Sequence, residues 1–85
     1  MSFPLSIITP QGESFNGQAD SVTLPGLAGD FAVLTGHAPI VYALKSGKIN
    51  ITQAGQILNF TIDSGVCEVN AAHACLILAD NISQA

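Results

Sequence analysis

The chain has 85 residues, of which 48% are hydrophobic and only 9% are charged, whereas about 25% is the usual charged fraction. Its formal net charge is −4, and Lys45 and Lys48 are its only Lys or Arg side chains. Because nucleic acids are held by clusters of cationic side chains, this composition excludes them as partners, and the same shortage argues against docking on anionic lipid.

The high apolar content predicts an interface on the surface. The length fits one small domain over residues 1–85, which buries roughly 60–65% of its unfolded surface. The remaining apolar area is more than a small monomer usually exposes, although a plain, weakly charged β-domain is the alternative. No apolar run approaches the ~20 residues of a membrane span, and no signal peptide is evident. We therefore expect a soluble, intracellular protein.

The first part of the chain has the pattern of short strands separated by turn residues. Four apolar or alternating segments are predicted as strands: Phe3–Thr9, Glu13–Ala19, Asp20–Leu24 and Asp30–Leu34. Asn16-Gly17 predicts a turn or bulge inside the second strand, because both residues tolerate positive φ. Pro25–Asp30 is a glycine-rich connection between the third and fourth strands. It lacks the lysine of a phosphate-binding loop and is not interpreted as a nucleotide site.

The second part continues this pattern. Further strands are predicted at Ile40–Leu44, Lys48–Gln53, Gln56–Ile62, Val66–Asn70 and Ala74–Leu78. Ala71-Ala72-His73 is a looser connection, and the polar tail Asn81–Ala85 is predicted to fray. About nine or ten short strands at this spacing indicate an all-β sandwich or barrel. Enrichment in Val, Ile and Thr agrees, and apolar residues do not recur at helical spacing beyond one turn.

The best candidates for a metal or catalytic site are Cys67, His73 and Cys75, with His37 as a possible fourth member. Their spacing does not match the close pairs of structural zinc sites. Both cysteines lie in predicted strands, where a thiol behaves as a small hydrophobe, and a disulfide is disfavoured in a reducing compartment. No acidic residue completes a Cys–His catalytic set. We predict core thiols, and no metal, cofactor or catalytic residue.

Two segments could contact a partner. Pro39 restricts the residue before it to extended backbone, and Gly36 permits a tight entry, so Gly36–Pro39 is predicted to form a rigid corner that presents His37. Its imidazole either hydrogen-bonds the corner itself or is offered to another chain. Leu27 is placed at a loop tip close to Asp30. This pair is either a docking edge or one ordinary exposed leucine beside a carboxylate.

Several motifs run through nearly the whole chain in a fixed order. They are Asp20–Gly26, Gly29-Asp30-Phe31, Gly36-His37-Ala38-Pro39, Asp63-Ser64-Gly65 and Leu78-Ala79-Asp80. Together they resemble the epsilon subunit of bacterial and chloroplast rotary ATP synthase. The resemblance implies a flattened sandwich of about ten mostly antiparallel strands. It also implies a non-catalytic place in the central stalk, where the domain binds the gamma subunit and the proteolipid ring and couples proton-driven rotation to ATP synthesis. The expected location is peripheral, on the cytoplasmic face of the bacterial plasma membrane.

The resemblance also implies contact roles for single residues. Positions matching Asp30 lie toward the ring, in the loop that also holds Leu27, and positions matching Thr9, His37 and Tyr42 lie toward gamma. Thr35 stands where the family usually has proline. Family members usually continue into a helical hairpin that can inhibit ATP hydrolysis and in some binds ATP. This chain stops before that hairpin, so neither property is expected of it.

Two other functions remain open from the residues. A free-standing β-sandwich that binds a ligand or a protein would need aromatic side chains on an exposed face. A small metal protein is the third and weaker possibility.

Overall fold

The computed structural model describes residues 1–84, and within them the regular structure is entirely β. The strands are β1 (Phe3–Thr9), β2 (Gly12–Ala19), β3 (Ser21–Gly26), β4 (Gly29–Leu34), β5 (Ile40–Leu44), β6 (Gly47–Gln53), β7 (Gln56–Ile62), β8 (Gly65–Val69), β9 (Cys75–Ala79) and β10 (Ile82–Gln84). Among residues 1–84, no helix has the length and apolar character needed to cross a bilayer.

The strands form one continuous ladder that bends at β3. The order is β10-β7-β6-β3-β5-β8-β9-β1-β2, and β4 pairs with β3 outside this path. Only β1 and β9 are parallel among the recorded pairs of residues 1–84. Because β3 meets β5 only at Gly26 and Leu44, the ladder folds there into two halves. The predicted all-β sandwich of about ten mostly antiparallel strands is confirmed.

β2, at one end of the ladder, approaches β6 in the other half. Gln53 donates from Nε2 to the carbonyl of Gln18 on β2 at 2.9 Å. The amide of Asp20, at the exit of β2, donates to the carbonyl of Thr52 on β6 at 2.8 Å. These bonds make the sheet nearly closed at this seam.

Side chains that alternate along the strands fill the space between the two halves. In β1, Phe3, Leu5 and Ile7 are buried, whereas Pro4 and Ile8 are exposed. Burial of such side chains is the main stabilising term in a domain of this size. The fully enclosed large residues are Phe3, Leu5, Ile7, Leu24, Ile49, Ile51, Ile62 and Ile77.

The turn or bulge predicted at Asn16-Gly17 is wrong. Both residues pair regularly with β1, Asn16 with Ser6 and Gly17 with Leu5, and the irregularity lies earlier, at Ser14. Pairing with β1 outweighs the local turn preference, because it satisfies the backbone of β2 along its length.

The predicted fraying of the tail is also wrong for its described residues. Ile82 pairs with Ile62, and Gln84 pairs with Phe60, so this segment forms β10 against β7. Ile82 is partly buried and packs on the core cluster, which explains why a short polar segment is ordered. Ala85 lies outside the described residues.

Candidate interaction surfaces

The segment predicted as a glycine-rich loop is a tight β-hairpin. Pairing of β3 with β4 continues through Pro25–Asp30 to Gly26–Gly29, so the expected strand end at Pro25 is wrong and only Leu27 and Ala28 lie outside the ladder. Gly29 has φ +139°, which glycine adopts readily. Leu27 is 66% exposed at this tip, and Asp30 is exposed at the start of β4.

Tyr42 covers the other face of the same hairpin. Its ring lies 4.5 Å from that of Phe31 and is tilted by 36°. The amide of Leu27 donates to the carbonyl of Ala43, next to Tyr42, at 2.9 Å. Side chains alternate along β4, so Asp30 points away from the ring pair. Leu27 and Asp30, here called the hairpin surface, lie at one end of the sandwich, and Tyr42 packs on the opposite face of the hairpin.

Thr9 is buried and its hydroxyl closes the β1–β2 turn. Oγ1 accepts the amide N–H of Gln11 at 3.2 Å and lies 3.3 Å from the carbonyl of Gly12. The register across β9 and β8 places the end of β1 level with Leu44, at the end of β5. Because its side chain is buried, Thr9 can act on a partner only through the turn that it positions. Thr9 lies far from His37, at the opposite end of the strands.

The Gly36–Pro39 corner lies at the opposite end of β5. The Nδ1–H of His37 donates to the carbonyl of Ala38 at 2.7 Å, and its amide donates to Leu34 at 3.1 Å. Gly36 has φ +82°. The imidazole thus bonds its own corner, which is one of the two alternatives from the sequence. Its presentation to another chain stays a prediction.

The connection from β8 to β9, expected to be loose, is tightly bonded. Asn70 Oδ1 accepts the amides of Ala72 and Ala74 at 2.9 and 3.1 Å, and the amide of His73 donates to the Asn70 carbonyl. His73 takes φ +63°, and its Nδ1–H donates to the carbonyl of His37 at 3.0 Å. Sequence reasoning missed this because Asn70 was assigned to the strand rather than to an Asx-type turn.

An exposed apolar row crosses the outer face of β5, β8, β9 and β1. Ile8 pairs with Leu78, Leu78 with Val66, and Val66 with Ala43. Leu78 is 47% exposed and Val66 38%. We call Ile8, Ala43, Val66 and Leu78 the outer apolar row. The sequence signal that could have predicted this row is the run of consecutive apolar residues in β1 and in β9, since such runs indicate strands with two apolar faces.

The cysteines are core thiols, as predicted. Cys67 and Cys75 are free and buried, with their Sγ atoms 3.5 Å apart. His37 and His73 do not join the two cysteines in one site, because both histidines lie at the Gly36–Pro39 corner. Within residues 1–84, no group of three or more metal-ligating side chains is assembled. The arrangement offers surfaces for contact rather than convergent reactive groups.

Comparison with known proteins gives a consistent result. Residues 2–85 match the family model for the β-sandwich domain of the ATP synthase delta/epsilon chain. The chain is 41% identical over 80 residues to the ATP synthase epsilon chain of Chlorobium limicola, covering 93% of this chain and 91% of that one. It is 38% identical to the epsilon chain of Rhodopseudomonas palustris, covering 81% of this chain but 51% of the relative.

The fold also matches a solved structure. A chain of the Euglena gracilis mitochondrial ATP synthase superposes with a TM-score of 0.92 at 19% identity, covering 98% of this chain and 53% of that one. At this identity the likeness concerns the fold alone.

Proposed function

Because this chain belongs to the β-sandwich family of ATP synthase delta/epsilon chains, we propose that it is a non-catalytic subunit of the central stalk of a rotary ATP synthase. In this role it binds the gamma subunit and the proteolipid ring and couples proton-driven rotation to ATP synthesis. It lies peripherally on the cytoplasmic face of the bacterial plasma membrane. The observation that carries the proposal is the family match over residues 2–85.

The composition and the surface support this role. Torque transmission requires a body that resists deformation, and a closely packed, nearly closed sheet provides one. The outer apolar row is larger than the single exposed apolar residues common on monomers, which favours a protein partner there. We assign this row, together with the corner at His37, to gamma.

The hairpin surface is assigned to the proteolipid ring. Leu27 offers an apolar tip, and Asp30 places a carboxylate beside it that can pair with a cation on the ring. The resemblance implies that Tyr42 faces gamma. Its ring also packs on Phe31 of this hairpin, so Tyr42 supports the hairpin from its other face. The buried Thr9 is assigned an indirect role through its turn.

Association with gamma is the experiment that tests the proposal. The chain and the gamma subunit from the same organism are co-expressed, and one of them carries an affinity tag. We expect a stoichiometric complex that survives gel filtration at micromolar concentration. Failure to associate at that concentration contradicts the proposal and favours a free-standing binding module.

The binding-module alternative has little support from the described residues. Phe3 and Phe60 are buried, and Phe15 packs on the core. Phe31 and Tyr42 are engaged with each other. An aromatic ligand platform on an exposed face is therefore not formed within residues 1–84.

A further inference from the structure

Two thiols lie side by side in the interior on neighbouring strands. Cys67 of β8 pairs with Ile77, and Cys75 of β9 pairs with Val69, so the cysteines are diagonal neighbours on the inner face. Their Sγ atoms are 3.5 Å apart, and both are free. Since a disulfide holds its sulfurs at about 2.05 Å, an approach of about 1.5 Å connects them.

A surface cleft opens on the outer face of the strands that carry this pair. It has a volume of about 140 Å³, and Cys75 lines it together with Glu68, Asn70 and Leu76. A water molecule occupies about 30 Å³ in the liquid, so the cleft admits a molecule the size of hydrogen peroxide. Cys75 keeps 3% of its surface exposed, whereas Cys67 keeps none. The cysteine sulfurs point to the inner face, so a small oxidant in the cleft meets the backbone of Cys75 first and reaches the sulfurs when β8 and β9 open locally.

The contact between the two thiols shifts their pKa values in opposite directions. A hydrogen bond from Cys75 lowers the pKa of Cys67, against the opposing effect of burial. The same bond and burial raise the pKa of Cys75. Either sulfur can donate across this contact. The lowered pKa of Cys67 favours it as the thiolate, which is the reactive form of cysteine, with Cys75 as the second thiol.

We propose that Cys67 and Cys75 form an oxidative modification site, at which a two-electron oxidant such as hydrogen peroxide closes a disulfide between β8 and β9. The Cys67 sulfur attacks a peroxide oxygen, the O–O bond breaks, and the leaving hydroxide takes the Cys75 proton to become water. The Cys75 sulfur then attacks the sulfenic sulfur, the S–S bond forms and the S–O bond breaks. The second hydroxide takes up the proton that Cys67 had released. The thiols lose two electrons, and the peroxide is reduced to water.

The disulfide can be measured directly on the folded chain. The protein is treated with hydrogen peroxide, denatured, alkylated with iodoacetamide and weighed. We expect a product lighter by two hydrogen atoms that takes up no alkyl group and is restored by dithiothreitol. The folded chain should give this disulfide as its main product, because the fold holds the sulfurs 3.5 Å apart, although burial makes its reaction slower than in urea. Two alkylated thiols after treatment, a sulfinic acid, or a disulfide formed only in urea would overturn the proposal.

Single variants test the assigned roles. Cys75→Ser removes the second thiol, so peroxide should leave Cys67 with added oxygen and no disulfide. Cys67→Ser removes the nucleophile, and the remaining thiol should react several-fold more slowly than the thiol of Cys75→Ser. Equal rates in the two variants contradict the assignment of Cys67 as nucleophile. The wild-type measurement stands even where a variant folds poorly.

Discussion

The imidazole of His73 donates from Nδ1 to the backbone carbonyl of His37 at 3.0 Å, across 36 residues of sequence. This bond fastens the β8–β9 connection to the corner that precedes β5. It requires His73 to hold φ +63°, a conformation that costs a non-glycine residue about 1–2 kcal/mol.

His73→Ala should destabilise the domain by about 0.5–1.5 kcal/mol, because it removes the side-chain donor and retains the left-handed backbone. His73→Gly loses the same bond but relieves the backbone, and should be more stable than His73→Ala by about 1 kcal/mol. Urea unfolding curves of the three proteins measure both differences. A His73→Ala midpoint equal to the wild type would mean that the bond contributes nothing.

Gly65→Ala should destabilise the domain by about 2 kcal/mol or more. The added Cβ meets the carbonyl oxygen of Leu78 and lies 3.2 Å from the Ala79 Cα, and backbone on a paired strand cannot move aside cheaply. Gly17→Ala is the matched control, because its nearest neighbour is the end of the Gln53 side chain at 3.2 Å. We expect less than about 1 kcal/mol there. Equal losses in thermal unfolding contradict the steric explanation.

The same change, leucine to alanine, should affect stability differently in the core and at the surface. Leu5→Ala and Leu27→Ala test this. Leu5 is fully buried and Leu27 is 66% exposed. We expect a loss of about 2–5 kcal/mol in unfolding free energy for Leu5→Ala and a change within about 0.5 kcal/mol for Leu27→Ala. Denaturant titration checks both. A large loss at Leu27 would show that the hairpin tip is structural and not a free contact residue.

Asp30→Lys should weaken binding to the proteolipid ring roughly tenfold, about 1.4 kcal/mol, while the fold is kept. Glu13→Lys makes the same charge change on exposed β2 and should bind as the wild type does. The measurement is rebinding of each variant to membranes carrying the enzyme depleted of this subunit, with circular dichroism as the folding control. If Asp30→Lys loses its β-sheet spectrum, Asp30 is structural. If both variants weaken equally, net charge rather than position is responsible.

Polar substitutions in the outer apolar row should weaken binding to gamma without unfolding the domain. The double variant Val66→Ser and Leu78→Ser removes two neighbouring contacts on β8 and β9, and we expect at least about a tenfold loss of affinity, mainly through faster dissociation. Ile57→Ser is the control, since Ile57 is 65% exposed on β7, away from this row. Surface plasmon resonance against immobilised gamma compares them. Unchanged affinity in the double variant would place gamma on another face.

Much of the fold could be predicted from local pattern. Alternating apolar residues located β1, β3 and β7 within a residue or two of their bounds, because a strand half buried in a sandwich imposes a period of two on its sequence. The ordered motifs along nearly the whole chain, among them those around Asp30 and His37, identified the family. The thiols were placed in the core because a cysteine inside an apolar strand packs as a hydrophobe.

The features that local pattern did not predict depend on pairing between strands that are distant in the sequence. Asn16-Gly17 has the composition of a turn, yet β1 holds it in regular register. The tail is polar, yet Ile82 pairs with β7 and is partly buried against the core. The bond from His73 to His37, the 3.5 Å approach of Cys67 to Cys75 and the alignment of Ile8 with Leu78 and Val66 all depend on strand register. The sequence by itself determined most of the segments that are strands and the family to which the chain belongs. Only the tertiary structure decided which side chains meet, because register is set by the packing of the whole sheet and no local segment encodes it.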